Sequence, residues 1–231
     1  TNYVSRSVYV NNPQSVQITS ALNASYCSHE AGFNLQATPS GGTFTGSITS
    51  SYFDPSNSIT GQQEIIYTYT DSNLCVNSDT VSTIVYIQPT VYITTTNNQA
   101  LCLNANSLAL FASPFGGTFT GNGVSGSNFN PGNATIGNNQ IVYNYTSSDG
   151  CSNSDTMNLI VNTQPTVNLS SFSDECESVS QINLTGGSPQ GGNYFGIAVN
   201  GLQSLFSPNF AGVGSHQIGY AYMDGNGCRD T

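Results

Sequence analysis

The sequence predicts an all-β protein built as a tandem array of three small β-sandwich repeats. Three observations point there. The phrase GGTFTG at 41–46 returns at 116–121 and, relaxed to GGNYFG, at 191–196, so the copies start 75 residues apart. Other phrases keep step with it: Phe53-Asp-Pro55 becomes Phe129-Asn-Pro131 and Phe206-Ser-Pro208, and Tyr67-Thr-Tyr69 becomes Tyr143-Asn-Tyr145 and Tyr220-Ala-Tyr222. Within each unit the apolar residues recur every second position, the period of a strand. Self-similarity at a fixed interval marks a repeat array, and this interval is too long for a solenoid coil.

Taken in order, residues 1–12 read as the last strand of a preceding repeat. Val8 and Val10 stand 75 positions before Thr83 and Val85. Repeats follow at 13–88, 89–164 and 165–231, the third without its last strand. In each, the paired glycines turn the chain tightly, and Phe44, Phe119 or their counterpart enters the core. The face made by Ile65, Tyr67 and Tyr69 recurs as Ile141, Tyr143, Tyr145 and as Ile218, Tyr220, Tyr222, while the opposite face varies. The constant face is the expected core. The strand after the second cysteine carries Val81, Thr83, Val85 and Ile87, matched by Met157, Leu159, Val161 and Thr163. Short linkers, Gln88-Pro-Thr90 and Gln164-Pro-Thr166, run one repeat into the next and predict a stiff rod of beads. No helix is expected.

Six cysteines, at 27, 75, 102, 151, 176 and 228, form no CxxC pair and have only His29 and His216 to assist a metal. Disulfides in an oxidising compartment fit better. Fifteen pairings are open, and repeat symmetry selects Cys27–Cys75, Cys102–Cys151 and Cys176–Cys228, one bridge inside each repeat.

Composition excludes several functions. The 231 residues hold two cations, Arg6 and Arg229, against twelve carboxylates, for a net charge of −10. Such a chain cannot neutralise phosphates, so nucleic acid is not a partner, and an anionic membrane surface repels it. No apolar run is long enough to insert as a helix. GNGVSG at 121–126 lacks the lysine and helix of a phosphate loop.

These phrases together resemble the tandem Ig-like repeats of very large cell-surface adhesins of the Bacteroidota, including those used in gliding. The resemblance is carried by Cys102, Leu110, Pro114, Gly116 to Gly121, Gly123 to Gly126, Phe129, Pro131, Ile141, Tyr143, Tyr145, Cys151, Pro165 and Val167. It implies Ig-like sandwiches, export by type IX secretion, and a role in surface attachment or filament building. Thr80 and Thr156, each in an Asp-Thr-aliphatic sequence, match the O-glycosylation signal of that phylum.

No catalytic constellation emerges, and the protein is read as non-enzymatic. One acidic group, Asp174, Glu175 and Glu177 with Asp224 and Asn226, would offer oxygen ligands to Ca²⁺ if Cys176 bonded Cys228. Asp71, Asp149 and Asp224, shortly before each second cysteine, suit turns. The alternative to an adhesive or structural filament is a carbohydrate-binding array with Tyr52, Tyr86, Tyr92 and Tyr194 as sugar platform, though these do not repeat in register. The expected partners are neighbouring copies or further repeats, joined head to tail, and surface glycans. The ends suggest either an excerpt of a longer array or a subunit whose strand 1–10 completes the third sandwich of its neighbour.

Overall fold

The computed structural model describes residues 3–96 and 100–231. It is all-β. Among the described residues helix is confined to a 3-10 turn at Pro131–Asn133 and one α-helical turn at Pro208–Ala211. Two compact units divide the chain, Thr1–Thr90 with Tyr145–Asn153, and Val91–Asn144 with Ser154–Thr231.

In the first repeat a four-stranded sheet runs in the order Ser25–Cys27, Val76–Tyr86, Gly61–Thr70, Thr43–Gly46. The long hairpin is antiparallel from Gly61↔Val85 to Thr70↔Val76, and Ser25–Cys27 lies parallel to the end of its second strand, with Cys27 opposite Tyr86. Short pairs, Gln17–Ile18 with Ala37–Thr38 and Phe33–Asn34 with Tyr52–Phe53, make the facing layer. The second repeat repeats this order with Leu101–Cys102, Ser152–Asn162, Gly137–Thr146 and Thr118–Gly121. In the third, Asn193–Gly196 pairs with Ile218–Met223, whose other neighbour among the described residues is Arg229–Asp230.

Three hydrophobic clusters follow. Phe53, Ile65, Tyr67 and Val85 centre the first, and Phe129, Ile141, Leu159 and Val161 the second. Leu184, Tyr194, Phe206 and Tyr220 centre the third. The alternation expected for the long hairpins is observed, and the FxP phrases supply core phenylalanines with Pro55 and Pro131 fully buried behind two of them. Phe44 and Phe119 are half-buried rather than enclosed, each against the tyrosine of the neighbouring strand at 4.7 and 4.6 Å between ring centres, where Tyr194 meets Tyr220 at 4.8 Å. Ile87 leaves the alternation and is exposed, because the strand has ended at Tyr86.

The paired glycines do more than turn. Gly41, Gly116 and Gly191 have φ of 96°, 98° and 94°. The second glycine of each pair packs its bare Cα against the hairpin: a Cβ on Gly117 would overlap the Asn144 carbonyl and the Tyr143 ring. That closeness lets Tyr143 Oη accept from Gly117 N and donate to the Pro114 carbonyl, both at 2.7 Å. Tyr67 bridges Gly42 N and the Pro39 carbonyl the same way, and Tyr220 bridges Gly192 N and the Pro189 carbonyl. The GNGVSG segment is a β-hairpin, Val124–Ser125 on Asn128–Phe129, and holds no phosphate-loop geometry.

Candidate functional site: the cysteine junctions

The bridges are Cys27–Cys151 and Cys102–Cys228, with Cys75 and Cys176 as free thiols. The pairing expected within repeats, Cys27–Cys75, Cys102–Cys151 and Cys176–Cys228, is therefore not formed. The reason is strand geometry. Cys27 sits opposite Tyr86, at the far end of Val76–Tyr86, while Cys75 immediately precedes that strand's start. Ten residues at about 3.3 Å each separate the two ends by roughly 33 Å, far beyond the reach of a disulfide. The first cysteine of one repeat instead bonds the second cysteine of the next. Independent beads give way to a covalent stitch. Each closes a loop of 124 or 126 residues, which by the chain-entropy estimate adds about 5 kcal/mol.

Each junction has the same parts. At the first, Cys151 is fully buried, its Sγ 4.0 Å from the Tyr86 carbonyl. Asn153 donates to the Pro89 carbonyl at 2.9 Å, and Ser28 N to the Tyr86 carbonyl at 2.8 Å. At the second, Cys102 stands opposite Asn162, Leu103 N donates to its carbonyl at 2.9 Å, and Cys228 is fully buried. A tight turn follows the first cysteine of every repeat: Glu30 N to the Cys27 carbonyl at 2.9 Å, Ala105 N to Cys102 at 2.9 Å, Val179 N to Cys176 at 3.0 Å. Another precedes the second cysteine. Asp71 and Asp224 each accept from the backbone N–H two and four residues on, at 2.8–2.9 Å. The position in the middle repeat is Ser147 rather than Asp149, with Cys151 N donating to Ser147 Oγ at 3.3 Å.

An acidic clip escaped the sequence. Asp79 and Asp155, four residues past the second cysteine, accept from Ile18 N and Ile93 N at 2.7 Å, fixing the first strand of the repeat. Asp230 does this for Val167 N at 3.2 Å, and takes Gln164 Nε2 at 3.1 Å. Thr80 and Thr156, beside these carboxylates, are exposed. They are the fifth residues of Val76–Tyr86 and Ser152–Asn162, not strand starts.

The other candidates separate. Cys176 does not bond Cys228, so the link meant to draw Asp174, Glu175 and Glu177 to Asp224 and Asn226 is gone, and Asp224 is engaged in its turn. Among the described residues no group of three or more His, Cys, Asp or Glu is placed to hold a metal. The Ca²⁺ site is not formed. His216 has a structural duty: its Nε2 contacts the carbonyl four residues back, Gly212, at 2.9 Å, as Gln63 and Asn139 reach Ile59 and Thr135. The four-tyrosine sugar platform is not assembled either, since Tyr194 is buried against Tyr220. The Asp54 carboxyl is held below the usual carboxylate range by hydrogen bonds from Ser56 and Asn57.

No protein-family model matches the sequence, and no curated protein does. Among solved structures the chain is similar to one described as a Ca²⁺-stabilised adhesin with which an Antarctic bacterium reaches out and binds ice, at 15% identity and a TM-score of 0.32. The likeness covers 92% of this chain and 63% of that one, so the chain spans under two thirds of its neighbour's length.

Proposed function

We propose that this is a non-enzymatic extracellular protein that bears load as part of an adhesive surface filament or stalk, serving attachment or motility. The observation that carries the reading is the overlap of the bridges, 27–151 with 102–228. Tension entering at Cys27 crosses to Cys151, runs back through the hairpin to Cys102 and leaves at Cys228. The covalent path then spans about 50 residues instead of about 200, or roughly 170 Å instead of roughly 700 Å at about 3.4 Å per residue. Two disulfides suit an oxidising, extracellular setting, and the nearly uncharged polar surface and the resemblance to Ig-like adhesin repeats fit it. Exposed Thr80 and Thr156 would carry glycans that keep such a surface soluble.

Single-molecule pulling from Cys27-proximal and Cys228-proximal handles tests the reading. The oxidised chain should yield no more than roughly 170 Å between the outer cysteines, and the reduced chain roughly 700 Å. Full extension of the oxidised chain would contradict it.

A further inference from the structure

The first two repeats each bury a side-chain amide at the start of the long hairpin, and only one of the two is satisfied. Asn139, 2% exposed, donates its Nδ2 to the Thr135 and Gly137 carbonyls at 2.8 and 3.0 Å. Its Oδ1 accepts from Thr135 N and Thr135 Oγ1 at 3.1 and 2.8 Å. Gln63, 4% exposed, makes the same two donations, to the Ile59 and Gly61 carbonyls at 2.5 and 3.2 Å. No described donor reaches its Oε1. Ile59 stands where Thr135 offers its hydroxyl, and the Ile59 N–H makes no bond to the longer side chain. A buried acceptor without a partner is costly, and it marks a place that something else fills.

Gln63 lines an open cleft, which exists because the neighbouring loop differs between the repeats. In the second repeat this loop is the hairpin of Val124–Ser125 on Asn128–Phe129. Its Gly123 packs so closely that a Cβ would overlap Ala134. The first repeat has Ser47 to Tyr52 instead, one residue shorter between the glycine and the core phenylalanine, and residues 47–51 form no strand. The space left is bounded by Ser50, Tyr52, Asp54, Asn57, Thr60 and Gln63. Tyr52 is 45% exposed, and its ring is backed by Gly32, where a Cβ would overlap it. Asp54 Oδ1 takes Ser56 N and Ser56 Oγ at 3.0 and 2.7 Å. Its Oδ2 takes Asn57 Nδ2 alone, at 2.6 Å, and keeps room for another donor.

This lining selects a ligand. Two acceptors, Gln63 Oε1 and Asp54 Oδ2, are open to donors. Neither Arg6 nor Arg229 borders the cleft, so an anion finds no counter-charge. Asp54 is the one carboxylate in the lining, too few for the oxygen set of Ca²⁺. A flat ring beside hydroxyls and amides suits a molecule with C–H on its face and O–H at its edge. We propose that the cleft binds one unit of a neutral hexopyranose glycan, its hydroxyls donating to Gln63 Oε1 and Asp54 Oδ2 and its C–H face on Tyr52. Tyr52 works here with amide and carboxylate neighbours rather than with other tyrosines. The site goes beyond load bearing and gives the filament something to hold.

Pulling on a single chain does not involve the cleft, so binding and the load path fail or stand separately. Amide NMR spectra of the oxidised chain are recorded with maltotriose, cellotriose, mannotriose, galactotriose and N-acetylchitotriose in turn. At least one sugar should shift amides within residues 47–63 and leave the long hairpin of the second repeat unmoved. The paired change Ile59→Thr with Gln63→Asn copies the satisfied pair of the second repeat, keeping the fold while occupying the acceptor. It should weaken binding about tenfold. Tyr52→Asn, which installs the residue that the second repeat has there, should also weaken it about tenfold. Added salt should leave the affinity unchanged, because the ligand is neutral. No shift with any of these sugars, shifts only outside residues 47–63, or an affinity indifferent to the paired change would each overturn the proposal. Salt-suppressed binding of lysine methyl ester at the same amides, with no sugar response, would assign the acceptors to a cation and overturn it as well.

Discussion

Tyr143 holds the Pro114 carbonyl and the Gly117 N–H on one hydroxyl, 2.7 Å from each. The same arrangement at Tyr67 and Tyr220 ties each glycine turn to the long hairpin across the sheet. Removing the oxygen leaves two partly buried backbone groups without a partner. Tyr143→Phe should lower stability by about 1–3 kcal/mol, read as a shift in urea midpoint at unchanged slope.

The two glycines of a pair should differ in sensitivity. Gly116→Ala meets open space and pays only for its positive φ, about 1 kcal/mol. Gly117→Ala drives a methyl into the Asn144 carbonyl and the Tyr143 ring. Thermal melts should show Gly117→Ala as clearly the worse of the two. Equal losses would sink the close-approach account.

The acidic clip makes a further prediction. Asp155→Ala frees Ile93 N and Thr156 N and should cost about 1–3 kcal/mol. Hydrogen exchange should quicken at Ile93 before the long hairpin is affected. An unchanged Ile93 amide would show that the carboxylate does not hold the strand.

Thr80 and Thr156 are expected to carry O-glycans in native material, since both are exposed beside an aspartate. Intact peptide masses without added sugar would end that idea.

The all-β fold, the hairpin cores and the FxP anchors were legible because alternation and a fixed interval report directly on buried faces. Ile65, Tyr67, Ile141 and Tyr143 were correctly placed in this way. The cysteine pairing was not legible. Repeat symmetry gives the interval between cysteines, but not which end of a strand each one occupies, and that depends on the parallel register of Cys27 on Tyr86. A bond to the next repeat preserves the same symmetry as one within a repeat. Asp79 and Asp155 were hidden for a related reason. Their partners, Ile18 and Ile93, are about 60 residues away, and a backbone N–H leaves no mark in side-chain pattern. The duty of His216 was not legible because its equivalents are Gln63 and Asn139, alike in hydrogen bonding but not in residue type.

The central claim is that disulfides join consecutive repeats, and peptide mapping of the oxidised protein without reduction tests it most directly. Digestion with blocked free thiols should yield peptides linking Cys27 to Cys151 and Cys102 to Cys228, with Cys75 and Cys176 alkylated in the monomer. Peptides linking Cys27 to Cys75 and Cys102 to Cys151 would contradict the account, removing both the stitch between repeats and the load path built on it.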